Sequence, residues 1–305
     1  MSRLPTELER LVFECAAVNR SRIPTLLLVA HRVRIWLEPI LYHLLLLNGI
    51  RSIESVLTVI LSKPPSFLES AVRHLLLYSS PFSLKPDTLS QFLHRCPGII
   101  SLSLIGDITG PHLLPALAQM HTLKRLSIEM KLLFPDSQVD LDHPLFASIT
   151  HLELFEEVYL DEEDEPNDLL WLLHPQAPAK MANLEYLGFN TQLHPSFLCT
   201  VHDRYEQLRV LVVGFTATDE ESAVGFLEEV TEQTAAMSEE DGEKGMGVGM
   251  ERLVVATYEN PYQDWERGVR GGEDVWARAE EFVRRKRGGE VDAANYYMPV
   301  KKRQS

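Results

Sequence analysis

A chain of 305 residues, 45% hydrophobic and with a formal net charge of -15, holds enough apolar material for one or two packed domains and is no disordered polymer. Its negative charge repels phosphate backbones and acidic lipid surfaces, which argues against nucleic acids and membranes as partners. Three widely spaced cysteines, Cys15, Cys96 and Cys199, give neither a disulfide framework nor paired thiolates for zinc. A reducing compartment, cytoplasmic or nuclear, is expected.

From the start of the chain, Pro5 followed by Leu8, Leu11, Val12 and Cys15 has helical spacing, with proline where no amide donor is needed. Glu7, Glu9 and Glu14 interrupt its apolar pattern, so no secretory signal is expected. After the polar break Asn19 to Arg22, Pro24 and Thr25 open a second predicted helix. Its residues Leu26, Leu27, Val29, Ala30 and Val33 are expected to face a core, with His31, Arg32 and Arg34 outward. Trp36 and Leu37 extend that surface, and Pro39 is expected to end or kink the helix. The apolar run Ile40 to Leu47 is too short to cross a bilayer.

From Tyr42 a six-residue pattern recurs, apolar-x-x-apolar-x-apolar: YHLLLL at Tyr42, VRHLLL at Val72, IISLSL at Ile99, LKRLSI at Leu123, ITHLEL at Ile149, LEYLGF at Leu184, LRVLVV at Leu208 and MERLVV at Met250. Successive copies are separated by 30, 27, 24, 26, 35, 24 and 42 residues, and the shorter spacings suit a repeat of one strand and one helix. Helices are predicted between copies at Ile53 to Leu61, Pro86 to His94, Leu113 to Met120 and Ser222 to Gln233. Strand then helix in one direction makes a parallel sheet with helices on its outer side. The fold class expected is therefore α/β.

The two longest spacings hold insertions, near 156–168 and 236–249. The first carries the charged run Asp161 to Glu165 before a returning helix, Leu169 to Leu172, and the second the glycine-rich stretch MSEEDGEKGMGVG. Beyond the last copy, residues 261–287 are expected to cap the open end of the sheet. Their amphipathic part, Asp274 to Arg285, clusters Val275, Ala279, Phe282 and Val283, with Trp276 at the edge. Residues 288–305 read as a flexible basic tail, and two basic clusters, Arg284 to Arg287 before it and Lys301 to Arg303 within it, have the composition of a nuclear import signal.

In each hexad the first, fourth and sixth side chains are expected inward, leaving the third, the fifth and the following odd position on an open face. Tyr78, Arg125, His151, Phe155 and Tyr186 are the candidate partner-binding residues on that face, since aromatic and arginine side chains carry much of the energy of protein recognition. The competing reading is an ordinary sheet face covered by other parts of the chain.

Signals for catalysis are poor. The eleven histidines form no HExxH pair, and no phosphate-binding GxxxxGK[ST] or GxSxG nucleophile turn occurs. GMGVG, with Gly245, Gly247 and Gly249, precedes a strand instead of following one, the reverse of a dinucleotide loop. No cofactor, metal site or catalytic residue is expected. A buried pocket with convergent histidine and carboxylate groups would reopen that question.

The N-terminal residues LPTELERLVFE from Leu4 and IPTLLLVAHRVRIWLEPILY from Ile23 resemble the F-box domain, a small helical domain that docks onto the adaptor subunit of SCF-type ubiquitin ligases. Leu4, Pro5, Glu7, Leu8, Val12 and Phe13 match the family's opening pattern, and Val29, Arg32, Val33 and Trp36 its later helix. The hexads resemble the leucine-rich repeats with which many such proteins hold substrates. Leu-Pro-x-Glu-Leu at the start and Trp-x-Glu-Pro at Trp36 to Pro39 are similar to F-box-like repeat proteins of mushroom-forming fungi.

The resemblance implies an F-box-like domain over 1–47 and a curved leucine-rich-repeat-like solenoid over 48–260. It implies adaptor docking, or a domain core, at Leu4, Pro5, Leu8, Val12, Phe13 and Trp36, and an unknown protein substrate on the repeats. The chain itself would do no chemistry. An adaptor-independent scaffold for protein-protein interaction is the alternative.

Overall fold

A computed structural model of the chain describes residues 4–48, 53–78, 84–106, 108–134, 138–156, 167–240 and 250–299. Among these residues it is α/β, with nine strands in chain order. They fall into two compact units, one of 1–108 with 112–123 and the other of 109–111 with 124–305. The first unit thus joins the N-terminal helices to three strands, across the boundary expected near residue 48. The run Asp161 to Glu165, the glycines of GMGVG and the cluster Lys301 to Arg303 lie outside the described residues.

The first unit opens with α1 (Thr6–Ala16), α2 (Ile23–Leu26) and α3 (His31–Tyr42). The sequence predicts one helix from Pro24, but two form, because the chain leaves α2 in a turn and Ala30 is extended at φ -163°, ψ 154° before α3. Val29 sits in that turn and is 58% exposed, against the expectation that it faces the core. Pro39 is accommodated inside α3. Ala17, Ile23, Val33 and Leu37 form the core of this part, with Phe13 and Trp36 packed against it.

The unit continues with β1 (Leu44–Asn48), α4 (Ile53–Leu61), α5 (Pro65–Ala71), β2 (His74–Tyr78), α6 (Pro86–His94), β3 (Ser101–Ile105) and α7 (Leu114–Leu117). β1, β2 and β3 pair in parallel, with Leu45 opposite Leu75 and Leu75 opposite Leu102. These are the fourth positions of successive hexads, so the repeats meet in register. Arg20 ties the helices to the first strand, its Nη2 donating to the carbonyls of Ile40 (3.2 Å), Leu41 (2.7 Å) and Leu44 (3.1 Å). Those carbonyls, at the end of α3 and the start of β1, gain a charged donor.

In the second unit β4 (Arg125–Ile128), α8 (Met130–Leu133), β5 (His151–Leu154), α9 (Ala177–Lys180), β6 (Tyr186–Phe189), α10 (Pro195–Arg204), β7 (Val210–Thr216), α11 (Glu220–Glu240) and β8 (Leu253–Tyr258) follow in order. Every pairing from β4 to β8 is parallel, and Leu126, Leu152, Leu187, Leu211 and Leu253 line up as fourth positions. In the copies from Val72 onward, first, fourth and sixth residues alike are at most 3% exposed. The alternation of a strand thus carries the hexad into one aliphatic layer against the helices.

Three expectations for the end of the chain are corrected. α11 runs through Glu240, so the stretch from Met237, read as a loop, begins as helix. The single cap of 261–287 is two helices, α12 (Pro261–Val269) and α13 (Val275–Arg287), with Gly271 at φ 79° in the turn between them. The tail is not loose throughout, for β9 (Tyr297–Met298) adds to β8 in parallel and Met298 is buried. The open edge is therefore occupied by β9, while α13 lies against β7 and β8 on the face opposite the repeat helices.

Candidate functional site

The six N-terminal residues singled out by the sequence divide into two sets. Phe13 and Trp36 are half-buried against the small helical core, whereas Leu4, Pro5, Leu8 and Val12 are exposed. Leu4, Leu8, Leu11 and Val12 follow one another at helical spacing, so the last three share a face of α1, and none of the eleven residues of that helix is buried. Leu28 at 86% and Ile35 at 59% add exposed apolar surface on the same helical group. α1 is held by the core contact of Phe13 and by Arg32, whose Nη2 meets Glu9 Oε1 at 2.6 Å.

The candidate partner face comes out differently in each unit. In the first, Tyr78 at the end of β2 is 43% exposed. In the second, the expected open face is covered. Tyr186 is only 6% exposed, and Val210, Val212, Val254 and Ala256 beside it are buried under Val275, Trp276, Ala279 and Val283 of α13. Trp276, placed by sequence at the helix edge, is central to this contact, because its ring fills the space above Gly188. A Cβ built on Gly188 would stand 2.6 Å from Trp276 Cη2. Phe155 is half-buried just beyond β5.

Polar groups fix how the helix lies. Asp274 caps α13 by accepting from the backbone N–H of Ala277 at 2.9 Å, and Arg125 Nη1 of β4 donates to its other oxygen at 2.7 Å. Tyr186 Oη donates to Glu280 at 2.9 Å, and the Arg209 guanidinium, paired with Glu280, stands 5.7 Å from the Tyr186 ring centre. His151 stacks on Tyr186 with ring centres 4.0 Å apart and meets Trp276 edge-on at 5.7 Å. Burial, together with the nearby Arg125 and Arg209, drives the His151 imidazole down to about 3, so it takes part as a neutral ring.

Under the same cover lies the grouping that would reopen a catalytic reading, with His151, Glu153, Asp264 and Asp274 around a cavity of about 30 Å³. That volume suits about one water molecule. The carboxylates are also committed. Asp264 accepts from Val275 N at 2.5 Å and from Arg278 at 2.8 Å, while Glu153 accepts from Ser127 and Asn190, each at 2.8 Å. Burial raises Glu153, partly offset by those two donors. Trp265 lines the cavity, and its Nε1 is buried with no hydrogen-bond acceptor among the described residues. No cluster of three or more histidine, cysteine or acidic residues among the described residues is placed to hold a metal ion, nor is any helix among them long and apolar enough to cross a membrane.

Two buried charged residues act elsewhere in this unit. Arg252, expected on the open face as a third position, instead turns toward the helix layer, because β8 begins only at Leu253. Its guanidinium donates to the carbonyls of His202, Tyr205, Glu206 and Leu208, and its Nε to His202 Nε2 at 3.0 Å. It thereby satisfies the last carbonyls of α10 and the loop beyond. Glu156, 1% exposed, accepts the N–H of Met130 at 2.6 Å and of Lys131 at 3.3 Å through Oε1. Desolvation lifts it to about 7 against those two bonds.

Sequence patterning missed Asp264, Asp274, Trp276 and Glu280 as partners of the strand face. Only the Asp274 cap was visible locally, as an acidic residue three positions before Ala277 at a helix start. Comparison of the chain with protein-family models, with curated proteins and with solved structures gives no match.

Proposed function

We propose that this chain is a substrate-recognition subunit of an SCF-type ubiquitin ligase, docking an adaptor through its N-terminal helices and binding a protein substrate through its repeats. The observation that carries the reading is the exposed apolar stripe of α1. Leu8, Leu11 and Val12 are 49%, 54% and 58% exposed, on a helix that buries none of its own residues. An amphipathic helix that turns its apolar side to solvent in a chain of net charge -15 needs a partner to cover it. The core contacts of Phe13 and Trp36 keep that stripe presented. In this scheme the chain performs no bond chemistry; it raises the effective concentration of a substrate beside a separate ligase component. The commitment of Glu153, Asp264 and Asp274 to structural bonds fits a binding role.

An adaptor-independent scaffold is the second reading, and it is favoured by the same apolar stripe if a different protein covers it. Co-purification separates the two. The full chain should capture an SCF adaptor, and a chain starting near Asn48 should not. The combined change Leu8→Asp and Val12→Asp should abolish capture while shifting stability by about 0.5 kcal/mol or less, as expected for exposed positions. No adaptor with the full chain would sink the first reading.

A further inference from the structure

The sheet of the second unit has two faces of opposite character. Against the repeat helices it presents Leu126, Ile128, Leu152, Leu154, Leu187 and Phe189, an aliphatic and aromatic layer with no polar side chain among them. Against α12 and α13 the same strands present Arg125, Ser127, His151, Glu153, Tyr186 and Gly188, giving way to Val210 and Val212. The second contact also borders a small cavity of about 30 Å³ and leaves the Trp265 N–H without an acceptor among the described residues. Mixed polarity, aromatic anchors and a paired arginine are the features of a protein-protein interface, whereas the first contact is an ordinary core.

From this we infer that the face of β4 to β8 is a receptor for an amphipathic helix, occupied in cis by α13 and open in trans to a partner helix of the same chemistry. The inference rests on the reading of the repeats as a recognition surface. It names the ligand class, and the cis helix as its competitor.

The seated helix specifies what a partner must carry. An acidic residue at the helix start meets Arg125, as Asp274 does at 2.7 Å. A tryptophan two positions later lies over Gly188 and against His151, as Trp276 does. An acidic residue one turn further reaches Tyr186 and Arg209, as Glu280 does. A stripe of small and branched residues, here Ala279 and Val283, covers the valines of β7 and β8. The opposite side of α13, with Glu281, Arg284 and Arg285, is charged and exposed, so the helix is suited to water when released, while Arg278 pairs with Asp264 of α12 at 2.8 Å. The turn at Gly271 and Gly272 is exposed and joins α13 to α12.

The test uses the whole protein with a protease site inserted between Gly271 and Gly272, cleaved after folding. A fluorescent peptide of residues 272–305 should replace the resident fragment within hours at temperatures well below unfolding. The same peptide carrying Trp276→Ala should compete at least tenfold less well. No label taken up over days by the nicked, folded protein would overturn the inference, as would equal exchange of the altered peptide. As a second measurement, the uncleaved chain carrying Trp276→Ala should bind a labelled 273–288 peptide at least tenfold more tightly than the unaltered chain does, and equal affinity would overturn the inference. Adaptor capture by the same proteins depends on α1, so its loss or retention tells failure of the ligase reading apart from failure of this one.

Discussion

Glu156 and Arg252 are buried charged residues whose surroundings bear directly on stability. Folding lifts the Glu156 carboxyl from 4.5 to about 7, so below pH 4.5 it is protonated in both states and its burial carries no charge penalty. As pH rises from 4.5 to 7 the unfolded chain loses that proton first, and stability falls by about 3 kcal/mol, a loss that persists above pH 7. Glu156→Gln keeps an acceptor for Met130 and Lys131 but cannot ionise. Denaturant unfolding should therefore show the variant gaining on the parent between pH 4.5 and 7; a difference that stays flat from pH 4 to 8 would rule this out. At Arg252 the sign is opposite. Arg252→Met strands the carbonyls of His202, Tyr205, Glu206 and Leu208 and should cost about 3 kcal/mol, with lysine restoring less than half because its single ammonium cannot span them. A melting temperature unchanged by Arg252→Met would refute that role.

Among the elements, strands β1 to β8 were readable from the hexads and α13 from its apolar stripe, but the surface on which α13 sits was not. The apolar period of two within each hexad specifies which side chains go inward, and the fourth positions meet in register from Leu126 to Leu253. α13 has an equally plain apolar stripe, yet a stripe shows only that a helix needs cover and not which surface supplies it. Its seat depends on Gly188, which has no side chain to block the Trp276 ring. Gly188→Ala should destabilise by about 1–3 kcal/mol through overpacking. Adding Trp276→Leu should recover part of that loss, since the two changes share one contact. Thermal melts of the single and double variants check this, and simple additivity would show that the ring is not the obstacle.

For the molecule as a whole, the end of the chain matters more than its composition suggests. A chain ending at Tyr258 lacks α12, α13 and β9, which leaves Tyr186, Val210, Val212, Val254 and Ala256 bare in the second unit. Exposed apolar patches of that kind bind hydrophobic dyes and promote association. The truncated chain should bind such a dye, elute as larger species in size-exclusion chromatography and unfold less cooperatively than the full chain. A monomeric, dye-negative truncation product would mean that the face tolerates water without its cover.

The amino-acid sequence by itself determined the α/β class, the positions of β1 to β8, their spacing and the inward set of each hexad, because these follow from the alternation of side chains over a few consecutive residues. The N-terminal helices were legible from an equally local pattern, apolar residues three or four apart, although the break at Ala30 was not. Only the tertiary structure decided that the other strand face is filled, and by what. Arg125 and Asp274 are 149 residues apart, and Tyr186 and Glu280 are 94 apart, so no local period connects them. Their meeting depends on the shape and charge of two surfaces that exist only once the chain has folded.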